Sequence, residues 1–122
     1  MSNETLIFVY GTLKRGGSNH HYLAGQKFLG EARTPPGFRL FNLGKYPGMV
    51  ARADDRDGVS GEVWSVEVDC LEHLDLLEDI AGGSYRREPV PLLPPFADHK
   101  VEGYIYARSV EGLQDLGGEY AV

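Results

Sequence analysis

The chain has 122 residues, of which 42% are apolar and 25% are charged, and its net charge is −6. This length suits one compact domain over residues 1–122, and the ordinary composition excludes an intrinsically disordered chain. The acidic balance argues against nucleic-acid binding, and no apolar run is long enough to span a bilayer.

Runs of apolar, aromatic and β-branched residues predict a domain rich in strands. The first strand, at residues 6–10 (LIFVY), is predicted to be buried. The others follow in chain order at residues 38–43, 61–68, 86–93 and 101–108. Five or six strands with two modest helices indicate an α+β domain with a curved sheet or a small barrel.

Two helices and one turn complete the prediction. A short helix at residues 19–23 begins after Ser18, which is a suitable N-cap. A second helix at residues 71–80 is expected to be capped by Asp69 and ended by Gly82-Gly83. Tyr46-Pro47-Gly48 is predicted as a turn, and the tail after residue 110 is expected to fold back on the surface.

One carboxylate of the second helix falls on its apolar side. At about 100° per residue, Glu78 lies close to the line of Leu71 and Leu74. The other acids cluster on a solvated arc: Glu72, Asp75 and Asp79. A carboxylate in an apolar site has a raised pKa, which suits a general base. The alternative is a rolled helix in which Glu78 lies at the rim and pairs with an arginine.

The glycine-rich loop at residues 10–17 follows a strand and precedes a helix. Backbone N–H groups in such a loop can bind an anion. The phosphate-loop pattern G-x-x-x-x-G-K-[ST] is incomplete, because Gly17 occupies the lysine position after Gly11 and Gly16. A nucleotide site is therefore disfavoured, and a plain strand-to-helix turn is the alternative.

The remaining residues with useful chemistry give weaker signals. Tyr85, Arg86 and Arg87 either orient a substrate near Glu78 or begin an exposed strand. The four histidines lack metal-ligand spacing, so no metal is expected. Cys70 is interpreted as a small buried residue. A single cysteine excludes an internal disulfide framework, and with no signal peptide it indicates a reducing, cytoplasmic location.

Five segments in order carry a resemblance to a known family. They are FVYGTLKRGGSNHHYL at 8–23, LFNLGKYPGMV at 40–50, VSGEVWSV at 59–66, LDLLEDIAGGSYRREPV at 74–90 and VEGYIYARSV at 101–110. Together they resemble the γ-glutamyl cyclotransferase-like family, also called AIG2-like or BtrG-like. The resemblance implies a small mixed-strand β-barrel with flanking short helices.

The resemblance also implies an activity and a site. Active members release 5-oxoproline from γ-glutamyl amines or peptides by an acyltransferase- or lyase-type cyclisation. The family's catalytic glutamate matches Glu78, and its substrate-holding loop matches Tyr10, Gly11, Thr12 and Leu13. Tyr85 is a further candidate for lining the pocket.

A simple mechanism fits these residues. The substrate's own α-amine attacks its γ-carbonyl, Glu78 moves the protons, and the loop amides bind an anionic oxygen. We expect no cofactor, a small γ-glutamyl substrate, and a monomer or homodimer that binds neither nucleic acid nor membrane. The alternative function is a non-catalytic module that binds an amino-acid-like anion in the same pocket.

Overall fold

The computed structural model describes residues 4–122, in which eight strands form one mixed sheet. The strands are β1 Thr5–Val9, β2 Lys27–Arg33, β3 Phe38–Asn42, β4 Pro47–Ala51, β5 Ser60–Val66, β6 Tyr85–Pro89, β7 Val101–Tyr106 and β8 Asp115–Gly117. Residues 4–122 also form an α-helix, α1 Val68–Leu77, and a 3₁₀ helix, His20–Leu23. The predicted α+β class is confirmed.

The sheet is curled, has one apolar cluster on each face, and does not close into the expected barrel. The order of the paired strands is β2-β5-β1-β7-β4-β3-β8. Strand β6 lies outside this order and pairs with β7. In the described chain this path of ladders runs from β2 to β8, and the two end strands are not paired with each other. Strand β7 lies parallel to both β1 and β4 and antiparallel to β6. The end of β1 and the start of β4 therefore both lie beside β7.

Burial explains why the central strands were readable from sequence. Strand β5 is buried along almost its whole length, and Ile7 and Phe8 of β1 are fully buried on opposite faces. Ile7 packs in one cluster with Trp64, whereas Phe8 packs in the other with Leu40. A strand with apolar neighbours on both faces reads as a continuous apolar run.

Strands β2 and β4 were not predicted from the sequence, and the tail predicted to fold back on the surface contains strand β8. Strand β2 alternates between exposed and half-buried residues and contains Gly30, so its apolar signal is weak. Strand β4 begins at Pro47, inside the segment predicted as a turn. Strand β8 pairs with β3, which gives the C-terminal tail a place in the sheet rather than only on the surface.

The helix bounds also differ from those predicted. The helix α1 starts at Val68 with Glu67 as its N-cap, so Asp69 lies in the first turn and is not the cap. It ends at Leu77, five residues before Gly82. No helix among residues 4–122 is long and apolar enough to cross a membrane.

Candidate active site

A pocket of about 260 Å³ lies where β1, β4, β6 and β7 approach the C-terminal end of α1. It is lined by Phe8, Val9, Tyr10, Gly11, Thr12, Leu13, Asn19, Tyr46, Pro47, Leu77, Glu78, Asp79, Ser84, Tyr85 and Tyr104. They include Glu78, Tyr10, Gly11, Thr12, Leu13 and Tyr85, the residues that the family resemblance and the proposed mechanism assigned to the site. The volume lies just below the usual range for small-molecule sites, so the pocket suits a small ligand.

The end of α1 places Glu78 at this pocket. Glu78 is the C-cap, and the next residue, Asp79, has a left-handed φ of 53°. The Asp79 amide donates to the carbonyl oxygen of Leu76 at 3.1 Å, and the Ile80 amide donates to that of Asp75 at 3.1 Å. This pair of bonds is a Schellman motif, in which a left-handed residue stops the helix. The motif fixes the backbone direction at Glu78.

The Glu78 carboxyl group is half-buried and has no ion-pair partner among the described residues. Burial raises its pKa to about 7. The helix C-terminus acts in the same direction, because the helix dipole disfavours a negative charge there. The alternative in which Glu78 pairs with an arginine is therefore not the observed arrangement, and the group can accept or release a proton near neutral pH.

Asp75 is not the solvated acid that the helical wheel indicates. Its carboxylate accepts two hydrogen bonds from Arg87, at 2.9 and 3.1 Å, and one from the hydroxyl of Tyr104 at 2.8 Å. Glu72 and Asp79 are exposed, as predicted. The wheel failed at Asp75 because its partners lie on strands far away in sequence.

The loop after β1 lines the pocket and contains backbone amides without a hydrogen-bond acceptor among the described residues. Its turns use the amides of Lys14, Gly17 and Asn19 as donors. The amides of Gly11, Thr12 and Leu13 have no acceptor within residues 4–122. Such neighbouring N–H groups can bind a carboxylate or an oxyanion.

Side chains from elsewhere hold this loop in shape. The buried Glu62 accepts hydrogen bonds from the amide and Nε of Arg15, both at 3.1 Å. The Asn19 amide group donates to the Thr12 hydroxyl at 3.0 Å. A Cβ at Gly11 would stand 2.6 Å from Cγ of Pro47, so only glycine allows the loop to approach β4 this closely. The donors are thus preorganised before any ligand binds.

The two tyrosines singled out from the sequence line the pocket, but their hydroxyl protons are engaged. Tyr10 donates to the carbonyl oxygen of Tyr104 at 2.7 Å, and Tyr85 donates to that of Pro47 at 2.9 Å. Burial raises the pKa of both phenols, and the negative charge of Glu78 adds to the shift. A ligand therefore meets their rings and lone pairs rather than a free O–H donor.

The other candidates from the sequence lie away from the pocket lining. Arg86 pairs with Glu88 at 3.5 Å, and Arg87 is held by Asp75. Cys70 is buried, as interpreted, and its pKa is raised by burial. No group of three or more potential metal-binding side chains occurs in the part of the chain that the structure describes.

Sequence reasoning did not place Tyr46, Pro47 and Tyr104 at the site. Tyr104 fell within the strand predicted at residues 101–108, and the Tyr46-Pro47-Gly48 segment was interpreted as a turn. Their positions depend on the parallel pairing of β4 and β7, which brings together residues far apart in sequence. In the sequence, only the resemblance of Tyr46-Pro47-Gly48 to the family's Tyr-Pro-Gly segment indicated that these residues contribute to the site.

Comparison with known proteins gives consistent matches along nearly the whole chain. The family described as "Gamma-glutamyl cyclotransferase, AIG2-like" matches residues 7–121. A Vibrio cholerae protein, provisionally named a gamma-glutamylcyclotransferase, is 39% identical over 93% of this chain and 94% of its own length. The gamma-glutamylcyclotransferase family protein YtfP of Escherichia coli K12 is 33% identical over 88% of each chain.

Solved structures show the same fold. The solution structure of Escherichia coli ytfP has a TM-score of 0.70 at 31% identity and covers 97% of this chain and 96% of its own. The crystal structure of an aig2-like protein from mouse has a TM-score of 0.69 at 29% identity, covering 88% of this chain and 79% of its own. The uncharacterized protein PH0828 from Pyrococcus horikoshii has a TM-score of 0.75 at 28% identity, covering 94% and 88%.

Proposed function

This chain belongs to the AIG2-like gamma-glutamyl cyclotransferase family, and we propose that it is an enzyme that releases 5-oxoproline from an L-γ-glutamyl amine or peptide. One observation carries the proposal. A carboxyl group without an ion-pair partner among residues 4–122, whose pKa is about 7, lies in the same pocket as three neighbouring amides with no acceptor in that range. Those two features supply a proton carrier and an anion-binding site.

In the proposed reaction, Glu78 first takes a proton from the substrate's α-ammonium group. The freed amine attacks the γ-carbonyl carbon, and the new C–N bond closes a five-membered ring. The carbonyl oxygen gains negative charge as this happens. The amides of Gly11, Thr12 and Leu13 either stabilise that oxygen or hold the substrate's α-carboxylate.

The ring intermediate then collapses, and the bond to the original amide nitrogen breaks. The α-ammonium starts with three protons and the lactam nitrogen keeps one, so two protons move to the leaving amine, which departs as an ammonium ion. Glu78 carries them one at a time, which requires a pKa near the working pH. Substrate orientation supplies much of the remaining rate, because an intramolecular attack has a high effective molarity when correctly aligned.

The test is a panel of γ-glutamyl amines, amino acids and dipeptides, with 5-oxoproline measured as product. For the best substrate, Glu78→Gln should reduce turnover by about two to four orders of magnitude. Glu72→Gln is the matched control, because Glu72 is an exposed acid of the same helix. Full turnover in Glu78→Gln would refute the assigned role. Ligand-induced stabilisation without any 5-oxoproline from the whole panel would instead favour a binding module.

A further inference from the structure

We infer that Asp75, clamped by Arg87 and Tyr104, is a positioning residue that fixes Glu78 in the pocket by holding the end of α1. The inference rests on the proposed function for its catalytic consequence, but its structural part stands separately. Asp75 does not line the pocket, so it acts through Glu78 rather than on the substrate.

The clamp joins three elements. Arg87 of β6 binds both carboxylate oxygens of Asp75, with Nε to Oδ1 at 2.9 Å and Nη2 to Oδ2 at 3.1 Å. Tyr104 of β7 donates its hydroxyl proton to Oδ1 at 2.8 Å, and the remaining Nη1 of Arg87 donates to Glu102 at 2.8 Å. The side chains of Asp75 and Arg87 are each only 26% exposed. A bidentate guanidinium pair in such a site fixes geometry as well as charge.

The main chain of Asp75 makes the connection to Glu78. Its carbonyl oxygen accepts the Ile80 amide in the Schellman motif that ends α1. Glu78 is the C-cap enclosed by that bond. The residue held by the clamp is thus also the acceptor that sets the backbone around Glu78, and a shift of Asp75 must move the carboxyl group.

The clamp is also continuous with the pocket wall. Tyr104 lines the pocket, and its carbonyl oxygen accepts the hydroxyl proton of Tyr10. Tyr10 in turn leads into the loop that carries the unpaired amides. These hydrogen bonds therefore link the helix that ends at Glu78 to the residue that precedes the loop with the unpaired amides.

A merely structural ion pair would behave differently from a positioning clamp. Loss of a purely structural pair lowers the free energy of unfolding, and it changes the pKa of Glu78 only through the loss of a nearby charge. Removal of the Arg87 cation would then leave the pKa of Glu78 unchanged or raised. Loss of positioning instead lets water reach the carboxyl group, so its pKa falls toward the ordinary value.

The experiment measures the pKa of Glu78 by carbon-13 NMR of the carboxyl group in the wild type and three variants, Arg87→Gln, Arg87→Lys and Tyr104→Phe. We expect a fall of about one unit or more in Arg87→Gln and smaller falls in the other two. Arg39→Gln is the matched control, because Arg39 also bridges carboxylates outside the pocket lining, those of Asp55, Asp57 and Asp115. It should lose stability and leave the pKa of Glu78 unchanged.

Kinetics provide the second readout. In the folded Arg87→Lys and Tyr104→Phe variants, kcat should fall about 10- to 100-fold with KM nearly unchanged, because the base is displaced while the loop amides remain. An unchanged or raised pKa of Glu78 in all folded variants overturns the inference, as does an unchanged kcat. If Arg87→Gln does not fold, the results for Arg87→Lys and Tyr104→Phe test the inference. If the wild type turns over no substrate, the proposed function fails, and the NMR titration still decides the clamp.

Discussion

The hydroxyl group of Tyr10 donates a hydrogen bond to the main-chain carbonyl oxygen of Tyr104 and accepts one from the amide of Met49, at 2.7 and 3.3 Å. All three groups are buried, and their residues come from different parts of the sheet. One phenol thus satisfies two main-chain groups of β4 and β7, where those strands meet beside the pocket. In the free protein, the Tyr10 hydroxyl group therefore links β4 to β7 beside the pocket.

Tyr10→Phe should therefore lower the free energy of unfolding by about 1–3 kcal/mol, because two buried main-chain groups each lose a hydrogen bond. Turnover should fall far less than in Glu78→Gln. Urea denaturation and the 5-oxoproline assay measure the two effects. Tyr106→Phe is the control, since its hydroxyl has no hydrogen-bond partner within residues 4–122. Unchanged stability with a large loss of turnover would show that the Tyr10 hydroxyl acts on the substrate.

The pH dependence of kcat/KM should report the titration of Glu78. The carboxylate form is the base, and burial raises its pKa to about 7. Below that pH the rate should fall about tenfold per unit as the free enzyme becomes protonated. The residual activity of Glu78→Gln should lack this limb, although any limb from the substrate amine should remain. A limb near pH 4.5, or one that persists in the variant, would contradict the assignment.

The same group should make stability depend on pH. The pKa of this carboxyl group is higher in the folded state, at about 7, than in the unfolded state. Below the unfolded-state pKa the group is protonated in both states and does not change the free energy of unfolding. As the pH rises from there to about 7, the group increasingly destabilises the fold. Replacing it with glutamine removes this penalty, which is at most about 3 kcal/mol. Glu78→Gln should therefore be more stable than the wild type at pH 8 and about equally stable at pH 4, as measured by chemical denaturation. Equal stability at both values would mean that Glu78 is well solvated.

How far the sequence predicts this molecule depends on the range of the interactions involved. The apolar run at residues 6–10 located β1 because that strand has apolar neighbours on both faces. The helical wheel placed Glu78 on the inward side, although that residue lies just beyond α1, because the Schellman motif continues the same turn of backbone. In both cases the pattern of residues within one element was enough to predict the position.

Residues governed by long-range contacts were not predictable in this way. The wheel assigned Asp75 to solvent, whereas Arg87 and Tyr104, 12 and 29 residues further along, enclose it. Tyr46 and Pro47 were interpreted as a turn, whereas parallel pairing of β4 with β7 makes them part of the pocket. Periodicity along one element carries no information about which other element will supply a partner.

The left-handed residue after Glu78 gives a last prediction, which concerns backbone strain. Asp79 has a φ of 53°, a conformation that glycine adopts freely and that costs a residue with a Cβ about 1 kcal/mol. Asp79→Gly and Asp79→Ala both lose the hydrogen bond that the carboxylate accepts from Ser84. The two variants therefore differ mainly in strain, and the glycine variant should be more stable by about 1 kcal/mol in urea denaturation. If the alanine variant is equally stable, α1 does not end in the left-handed turn that sets the direction of Glu78.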